Sequence, residues 1–311
     1  MTSAPASGEQ YELEHGRQRA IVTEVGATLR SWRLGADELL DTFGRDVPGD
    51  AYRGKVLMPW PNRVRDGRYS FDGRQHATAL TEPERDNAIH GLVSWVNWRL
   101  IKRTESRLTL AYRLHSQPGY PFVLDLEVEY ALSEGGLEVV IRAVNRGASA
   151  APFGTGLHPY LALGGERADA VELEVPARWW LPVDGQAIPT GERRPVDGSG
   201  HDFRAARRIG EAPVDVCFTG MQRDPDGLAR IALAFDGEGG RRDLTVWMDR
   251  AYSYVQVYTA DEDPDPARRR RSIAVEPMTC APDAFNSGDG LLVLGPGERF
   301  SGRCGVSVAT T

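Results

Sequence analysis

The stretch LDLEVEYAL, residues 124–132, decides the fold class. Leu124, Leu126, Val128, Tyr130 and Leu132 alternate with Asp125, Glu127 and Glu129, a period of two in which successive side chains point to opposite faces. A helix would scatter those five apolar groups around its circumference, whereas a strand gathers them on one face. Working outward, RLTLAYRL (107–114) repeats the alternation, and VELEV (171–175), RIALAFD (230–236), DLTVWMD (243–249), SYVQVYT (253–259) and SIAVE (272–276) follow it. Turn chemistry separates such runs. Asp72-Gly73 inside YSFDGRQH is a strong hairpin signal, and Glu134-Gly135-Gly136 marks another turn. With 34 Gly and 20 Pro spread through the chain, the reading is all-β: many short antiparallel strands in two or more packed sheets. Helical periodicity is scarce, and HDFRAARRIG (201–210) is the segment that reads as a short helix.

A chain of 311 residues could hold one large domain or two ordinary ones. No change of composition marks a linker, so the expectation is a loose tail over residues 1–8 and a single domain over 9–311. A formal net charge of −7 argues against nucleic acid and anionic membrane as partners and says nothing about a neutral small molecule. The start, MTSAPASGEQ, lacks the basic and apolar regions of a signal peptide, and no run of about 18 apolar residues occurs. Cys217, Cys280 and Cys304 form no close pair and leave an odd thiol, which fits a reducing, cytoplasmic setting. The biased stretch DEDPDPARRRRS (261–272) mixes both charges and reads as a solvated loop.

Candidate chemistry rests on a few polar residues in apolar text. Of six histidines, His15, His76, His115 and His201 stand in polar or turn-like surroundings and read as surface groups. His90 in DNAIHGLVSW and His158 in GTGLHPYL each follow an apolar residue and adjoin Gly or Pro, where a strand gives way to a turn and a side chain can face a cleft. In isolation each is more often a hydrogen-bonded core histidine. Glu276 in SIAVEPMT lies in an apolar strand, and a carboxylate so placed needs a partner or a task. Arg63 in MPWPNRVRDG and Asp215 in APVDVCF are similarly set, and structural ion pairs are the plain alternative for all three. Trp60, Trp95, Trp98, Trp179 and Trp180 could supply flat walls for a sugar ring or simply fill the core. The chain has no HxH, HExxH, CxxC or GxSxG, so neither a protein-bound metal nor a nucleophile elbow is expected.

Seven segments in order resemble the aldose 1-epimerase, or galactose mutarotase-like, family. PWPNRVRDGRYSFDG is similar to its Pro-Asn-Arg segment and following hairpin, NAIHG to its first His-Gly motif, and GYPFVLDLEVEYAL to its Gly-Tyr-Pro strand. GTGLHPYL resembles the His-Pro-Tyr motif, VQVYT and AVEPMTCAPDAFN the strand and glutamate near the C-terminus, and LLVLGPGERF the closing turn. The match runs from about residue 12 to 308. It implies a β-supersandwich with few short helices and a site in a cleft on one concave sheet. It also implies a mutarotase, an isomerase that interconverts α and β anomers of a free aldose such as galactose or glucose without metal or cofactor. Its partner would be the sugar alone, and the protein a monomer or homodimer. Carried over, Glu276 would be the general base and His158 the general acid, with His90 polarising the sugar and Arg63 and Asp215 binding it. The family usually reads Asp-His-Asn-Phe where this chain has Asp215-Val216-Cys217-Phe218, which touches hydroxyl recognition. Mutarotation of a phosphorylated or otherwise modified hexose, and non-catalytic carbohydrate binding, are the competing expectations.

Overall fold

Leu124–Ser133 forms a strand whose five alternating apolar side chains are all buried, while Asp125, Glu127 and Glu129 stay partly open. A two-residue turn at Glu134-Gly135 returns the chain into Gly136–Asn145, with Ser133 opposite Gly136. The computed structural model describes residues 4–237 and 240–309. This hairpin belongs to a nine-stranded antiparallel sheet centred on Arg299–Ala309 that also includes Arg107–Leu114, Ala229–Gly237 and Gly240–Met248. An eight-stranded sheet faces it, in which Ser272–Met278 lies beside Tyr254–Tyr258, and that strand beside Asp215–Thr219. Leu126, Val128 and Tyr130 of the first sheet and Val216, Val257, Ile273 and Val275 of the second share one apolar cluster. At roughly 25 cal/mol per Å² of apolar surface, such contact is the main stabilising term of the sandwich. The opposite face of the second sheet is then free to carry polar groups.

A four-stranded sheet from the N-terminus packs on this body, and Asp72-Gly73 turns the hairpin Arg68–Phe71 to Arg74–Ala77. Both turn residues have positive φ, 48° and 71°, as the type I′ turn requires. The α-helix Ala284–Ser287 spans four residues, and the molecule is the all-β supersandwich that the resemblance implies. No helix among the described residues is long and apolar enough to cross a membrane.

Two local expectations are corrected. Residues 201–210 form no helix. Phe203 is buried, Arg207 lies over its ring, and Arg207–Arg208 pairs with Glu172–Glu174 as a short strand, so tertiary packing overrides the local pattern. Residues 1–3 lie outside the described residues, but Ser7 is buried and its hydroxyl donates to the Arg45 carbonyl at 2.6 Å, so the packed body begins before residue 9. Residues 261–272 are the largely exposed loop between strands that the mixed charge implies, with a few members turned inward. Asp263 and Arg270 are buried, Asp263 accepts from Arg53, and Arg268 pairs with Asp41. Arg270 pairs both with Asp261 inside the loop and with distant Asp169.

Candidate active site

Glu276 sits fifth in a strand whose seven residues are all buried, on the face that turns away from the apolar core. Its cross-strand neighbour is Gln256, and Asp215 begins the next strand opposite Tyr258. Gln256 Nε2 donates to Asp215, which ties the middle of this sheet together by side chains. His158 follows the short strand Gly156–Leu157 and is held at both backbone groups: its N–H donates to the Lys55 carbonyl at 3.0 Å and its carbonyl accepts from Gly54 at 2.9 Å. This places His158 Nε2 3.4 Å from Glu276 Oε1, with both side chains buried.

His90 reaches the same place from another direction. Arg63–Arg65 pairs with Asn87–Ile89, so the two motifs PNR and NAIHG are neighbours in space. His90 has φ 60° and is held by two bonds to Asn62: its N–H donates to the Asn62 carbonyl at 2.9 Å, and the Asn62 N–H donates to His90 Nδ1 at 3.2 Å. The next residue must be glycine. A Cβ on Gly91 would lie 2.0 Å from the Met58 carbonyl oxygen, and φ there is 76°. Because His90 Nδ1 accepts a backbone N–H, it carries no proton, and the neutral ring bears its hydrogen on Nε2. The His90 and His158 rings meet edge to face at 5.1 Å between centroids.

Arg63 is buried and clamped by Glu82, Nε and Nη2 each donating at 2.8 Å to one carboxylate oxygen. This bidentate geometry fixes the guanidinium plane and leaves Nη1, whose nearest acceptor is Asn62 Oδ1 at 3.5 Å. Burial alone would raise the Glu82 pKa, but the hydrogen bonds and charge of Arg63 outweigh it and hold the carboxyl below its ordinary value.

His90, His158, Glu276, Arg63 and Asp215 therefore all line one cleft of about 240 Å³, the five residues singled out in the sequence. That is below the roughly 300–1,000 Å³ of drug-sized pockets and matches one small polar ring. A larger trough of about 730 Å³ on the outer face of the nine-stranded sheet, between Arg99 and Arg299, contains no histidine and no buried acid–base pair. Gln256, Glu82, Tyr52, Tyr160 and Tyr258 also line the cleft and escape the sequence reading. Gln256 had a signal: it is the one polar residue in the apolar run YVQVY. Glu82 had none, since TEPERDN reads as a polar loop until Arg63 is seen beside it. The tryptophans do not wall the cleft. Trp60 and Trp98 are core, Trp180 packs against the core and His201, Trp179 is exposed, and exposed Trp95 stands behind Tyr52 at 5.8 Å, so that tyrosines line the cleft itself.

Electrostatics separate the members of the site. Burial drives His158 down to about 3, with the Arg53 charge adding to the effect. Burial likewise drives His90 well below its usual value, helped by His158 and Arg63. Glu276 is pushed well above the ordinary carboxylate range by burial first and by the Asp215 charge second. Asp215 is open on its cleft side but enclosed on the others. That enclosure raises its pKa, and Arg63 offsets part of the rise. Ligand atoms of His90, His158 and Glu276 lie within 4.8 Å of one another, close enough to consider a metal. The protonated Nε2 of His90 opposes this, because a ligating nitrogen must present a lone pair, and its Nδ1 is already engaged. The arrangement suits proton transfer instead: one carboxyl and one imidazole in contact, with a fixed N–H and a fixed guanidinium beside them.

Comparison with known proteins identifies the family. The family model described as aldose 1-epimerase matches residues 9–307. Uncharacterized protein YihR of Escherichia coli (strain K12) is 33% identical over 299 residues, covering 96% of this chain and 92% of its own length. The galactose mutarotase of Homo sapiens is 30% identical over 243 residues, covering 72% and 68%. Among solved structures, the GalM/aldose epimerase homologue from C. elegans superposes with a TM-score of 0.84 at 18% identity, covering 97% of this chain and 99% of the other. With the family model matched over residues 9–307 and the fold shared, the chain belongs to the aldose 1-epimerase family.

Proposed function

We propose that the protein is a mutarotase, an isomerase that interconverts the α and β anomers of a free aldose. The observation that carries the reading is the buried His158–Glu276 pair, 3.4 Å between Nε2 and Oε1. Burial disfavours a charge on either group, so in the open cleft the shared proton rests on the carboxyl. Moving it to His158 creates a carboxylate and an imidazolium with no change in net charge. A sugar whose C1 hydroxyl meets Glu276 and whose ring oxygen meets His158 stabilises both charges by hydrogen bonds. Glu276 then takes the hydroxyl proton, the C1–O5 bond breaks as the C1–O1 bond becomes a carbonyl, and His158 protonates O5. Rotation about C1–C2 turns the other carbonyl face toward O5. Reclosure returns the O5 proton to His158 and the Glu276 proton to O1, so no proton is gained or lost. Each positioned transfer group is worth roughly 10²–10⁴ in rate.

His90 Nε2–H and the Arg63 edge are donors for hydroxyl oxygens, and Asp215 with Gln256 offers acceptors. The charge lining the cleft favours a neutral ligand. Arg63 is occupied by Glu82, and Arg85 by Glu82 and Glu262, so both guanidinium groups already face carboxylates. Polarimetry of freshly dissolved α-anomers of several aldoses tests the reading. Catalysed relaxation of at least one neutral aldose is expected. Acceleration confined to a 6-phosphate or 6-sulfonate sugar would reassign the substrate, and none with any aldose would overturn the activity.

A further inference from the structure

His158 is backed by a layered stack that the acid–base scheme does not use. The Tyr160 ring lies beneath its imidazole, 4.9 Å between centroids and only 10° from parallel. Beneath Tyr160 in turn lies the guanidinium carbon of Arg53, 4.9 Å from the ring centroid. Arg53 cannot shift in this position. It is 1% exposed, its Nε donates to Asp41 at 3.0 Å, and its two Nη atoms pair with Asp50 and Asp263. Arg268 and Ser272 hold Asp41 from the other side. The cation is thus immobilised by three carboxylates from separate segments, with its flat face offered to a tyrosine.

The imidazole needs such a support. His158 Nδ1 has no hydrogen-bond partner on any other described residue, its polar neighbour being its own backbone, so no second residue fixes the ring about its Cβ–Cγ bond by hydrogen bonding there. In many histidine acids a hydrogen bond at the second nitrogen performs that task. Here a flat surface does so.

Resting on the mutarotase reading, we propose that Tyr160, braced by Arg53, is the positioning residue of the general acid. It holds the His158 ring plane so that Nε2 keeps its contact with Glu276 and faces the ring oxygen of the sugar. The phenol hydroxyl is not required for this, because the contact is made by the ring face. A misplacement of about 1 Å in a reacting group costs on the order of 10²-fold in rate, which sets the scale.

The test compares Tyr160→Phe, Tyr160→Leu and Tyr160→Met. Saturation kinetics by polarimetry are paired with NMR of the His158 imidazole protons, assigned with His158→Asn. Tyr160→Phe is expected to keep kcat within about twofold and leave the imidazole resonances in place. Tyr160→Leu is expected to lower kcat about 10- to 100-fold with KM within about threefold, and to move the imidazole protons downfield as the ring current is lost. Tyr160→Met fills the site with a flexible chain that has no plane and gives the same reading if the leucine variant does not fold. Wild-type kcat in Leu or Met, or unmoved resonances, would overturn the proposal, as would a phenylalanine variant as impaired as leucine. The wild-type assay tests the underlying activity separately, and the resonances report the stack whether or not that assay finds turnover.

Discussion

Two buried charged clusters lie on either side of Tyr160, and they solve the same problem in opposite ways. Behind the ring, Arg53 is met by Asp41, Asp50 and Asp263, every guanidinium nitrogen engaged. In front of it, His158 and Glu276 meet at 3.4 Å, yet His158 Nδ1, Glu276 Oε2 and Gln256 Oε1 have no hydrogen-bond partner among the described residues. A buried polar atom left unpaired costs about 1–3 kcal/mol. The first cluster is arranged for the folded chain alone. The second leaves two acceptor oxygens, Glu276 Oε2 and Gln256 Oε1, that the hydroxyl donors of the proposed sugar would satisfy.

The sharpest way to break this contrast is Glu276→Gln. It removes the base while keeping shape and hydrogen-bonding capacity, so mutarotation is expected to fall by about 10²–10⁴, measured by polarimetry. Stability should move the other way with pH. Glu276 has a raised folded pKa, so its unfolded form ionises above about 4.5 while the folded form keeps its proton. Wild-type stability is therefore lost as pH rises through that interval, up to tenfold in the folding equilibrium per pH unit. The glutamine variant should gain on wild type between pH 5 and 8 in denaturant titrations. A gap that stays constant would mean that the resting pair is already ionic.

Asp263→Ala attacks the other cluster. It leaves Arg53 buried with two acids instead of three and frees the Asp265 N–H, which Asp263 now accepts at 3.0 Å. A loss of about 3 kcal/mol is expected, seen as a lower denaturant midpoint, while folded molecules keep kcat within about tenfold. Severe loss of kcat at unchanged stability would erase the distinction between the clusters.

A third prediction separates the two histidines from the carboxyl. His158 and His90 have depressed folded pKa values, so their stability contribution is present above about 6.5 and lost as pH falls toward about 3 for His158. Between about 4.5 and 6.5 the His158 and Glu276 slopes oppose each other and His90 remains. Below about 4.5 His158→Gln should lose stability less steeply than wild type, by up to tenfold in the folding equilibrium per pH unit.

Much of this was legible beforehand, for a physical reason. Alternation such as LDLEVEYAL is a local signal of a sheet with one buried face, and its buried residues are the alternating ones. Glu276 and His158 stood out because a polar residue in apolar text must be accounted for. The rest is invisible in one dimension. Glu82 acquires meaning only when the pairing of residues 63–65 with 87–89 brings it to Arg63. The run from Asp261 to Arg271 looks self-neutralising along the chain, but Asp263, Arg268 and Arg270 serve Arg53, Asp41 and Asp169, between 101 and 227 positions away, and only Arg270 also pairs with an acid of the run, Asp261. Ion-pair partners follow topology, and topology is what a local reading lacks. The departure at Val216 and Cys217 also resolves on alternation: Val216 joins the core, and Cys217 lies on the other face, opposite Gln256.

The smallest effect is expected at Asp215, and it tests whether the cleft is organised by charge or by hydrogen bonding. Asp215 accepts from Gln256 and is open to the cleft. Asp215→Asn keeps an acceptor oxygen, so Gln256 stays in place, but a sugar hydroxyl loses a charged partner for a neutral one. Charge-assisted bonds are about twice as strong as neutral ones, so KM should rise about fivefold with kcat little changed. The substitution has a second consequence through Glu276, because the Asp215 charge is the next cause of its raised pKa after burial. Removing that charge lowers the Glu276 pKa. The pair then gives up its shared proton at lower pH, and the alkaline limb of the kcat/KM profile should move down. A higher KM with an unmoved alkaline limb would confine Asp215 to hydroxyl binding. A moved limb with unchanged KM would make it a tuning charge that the sugar does not touch.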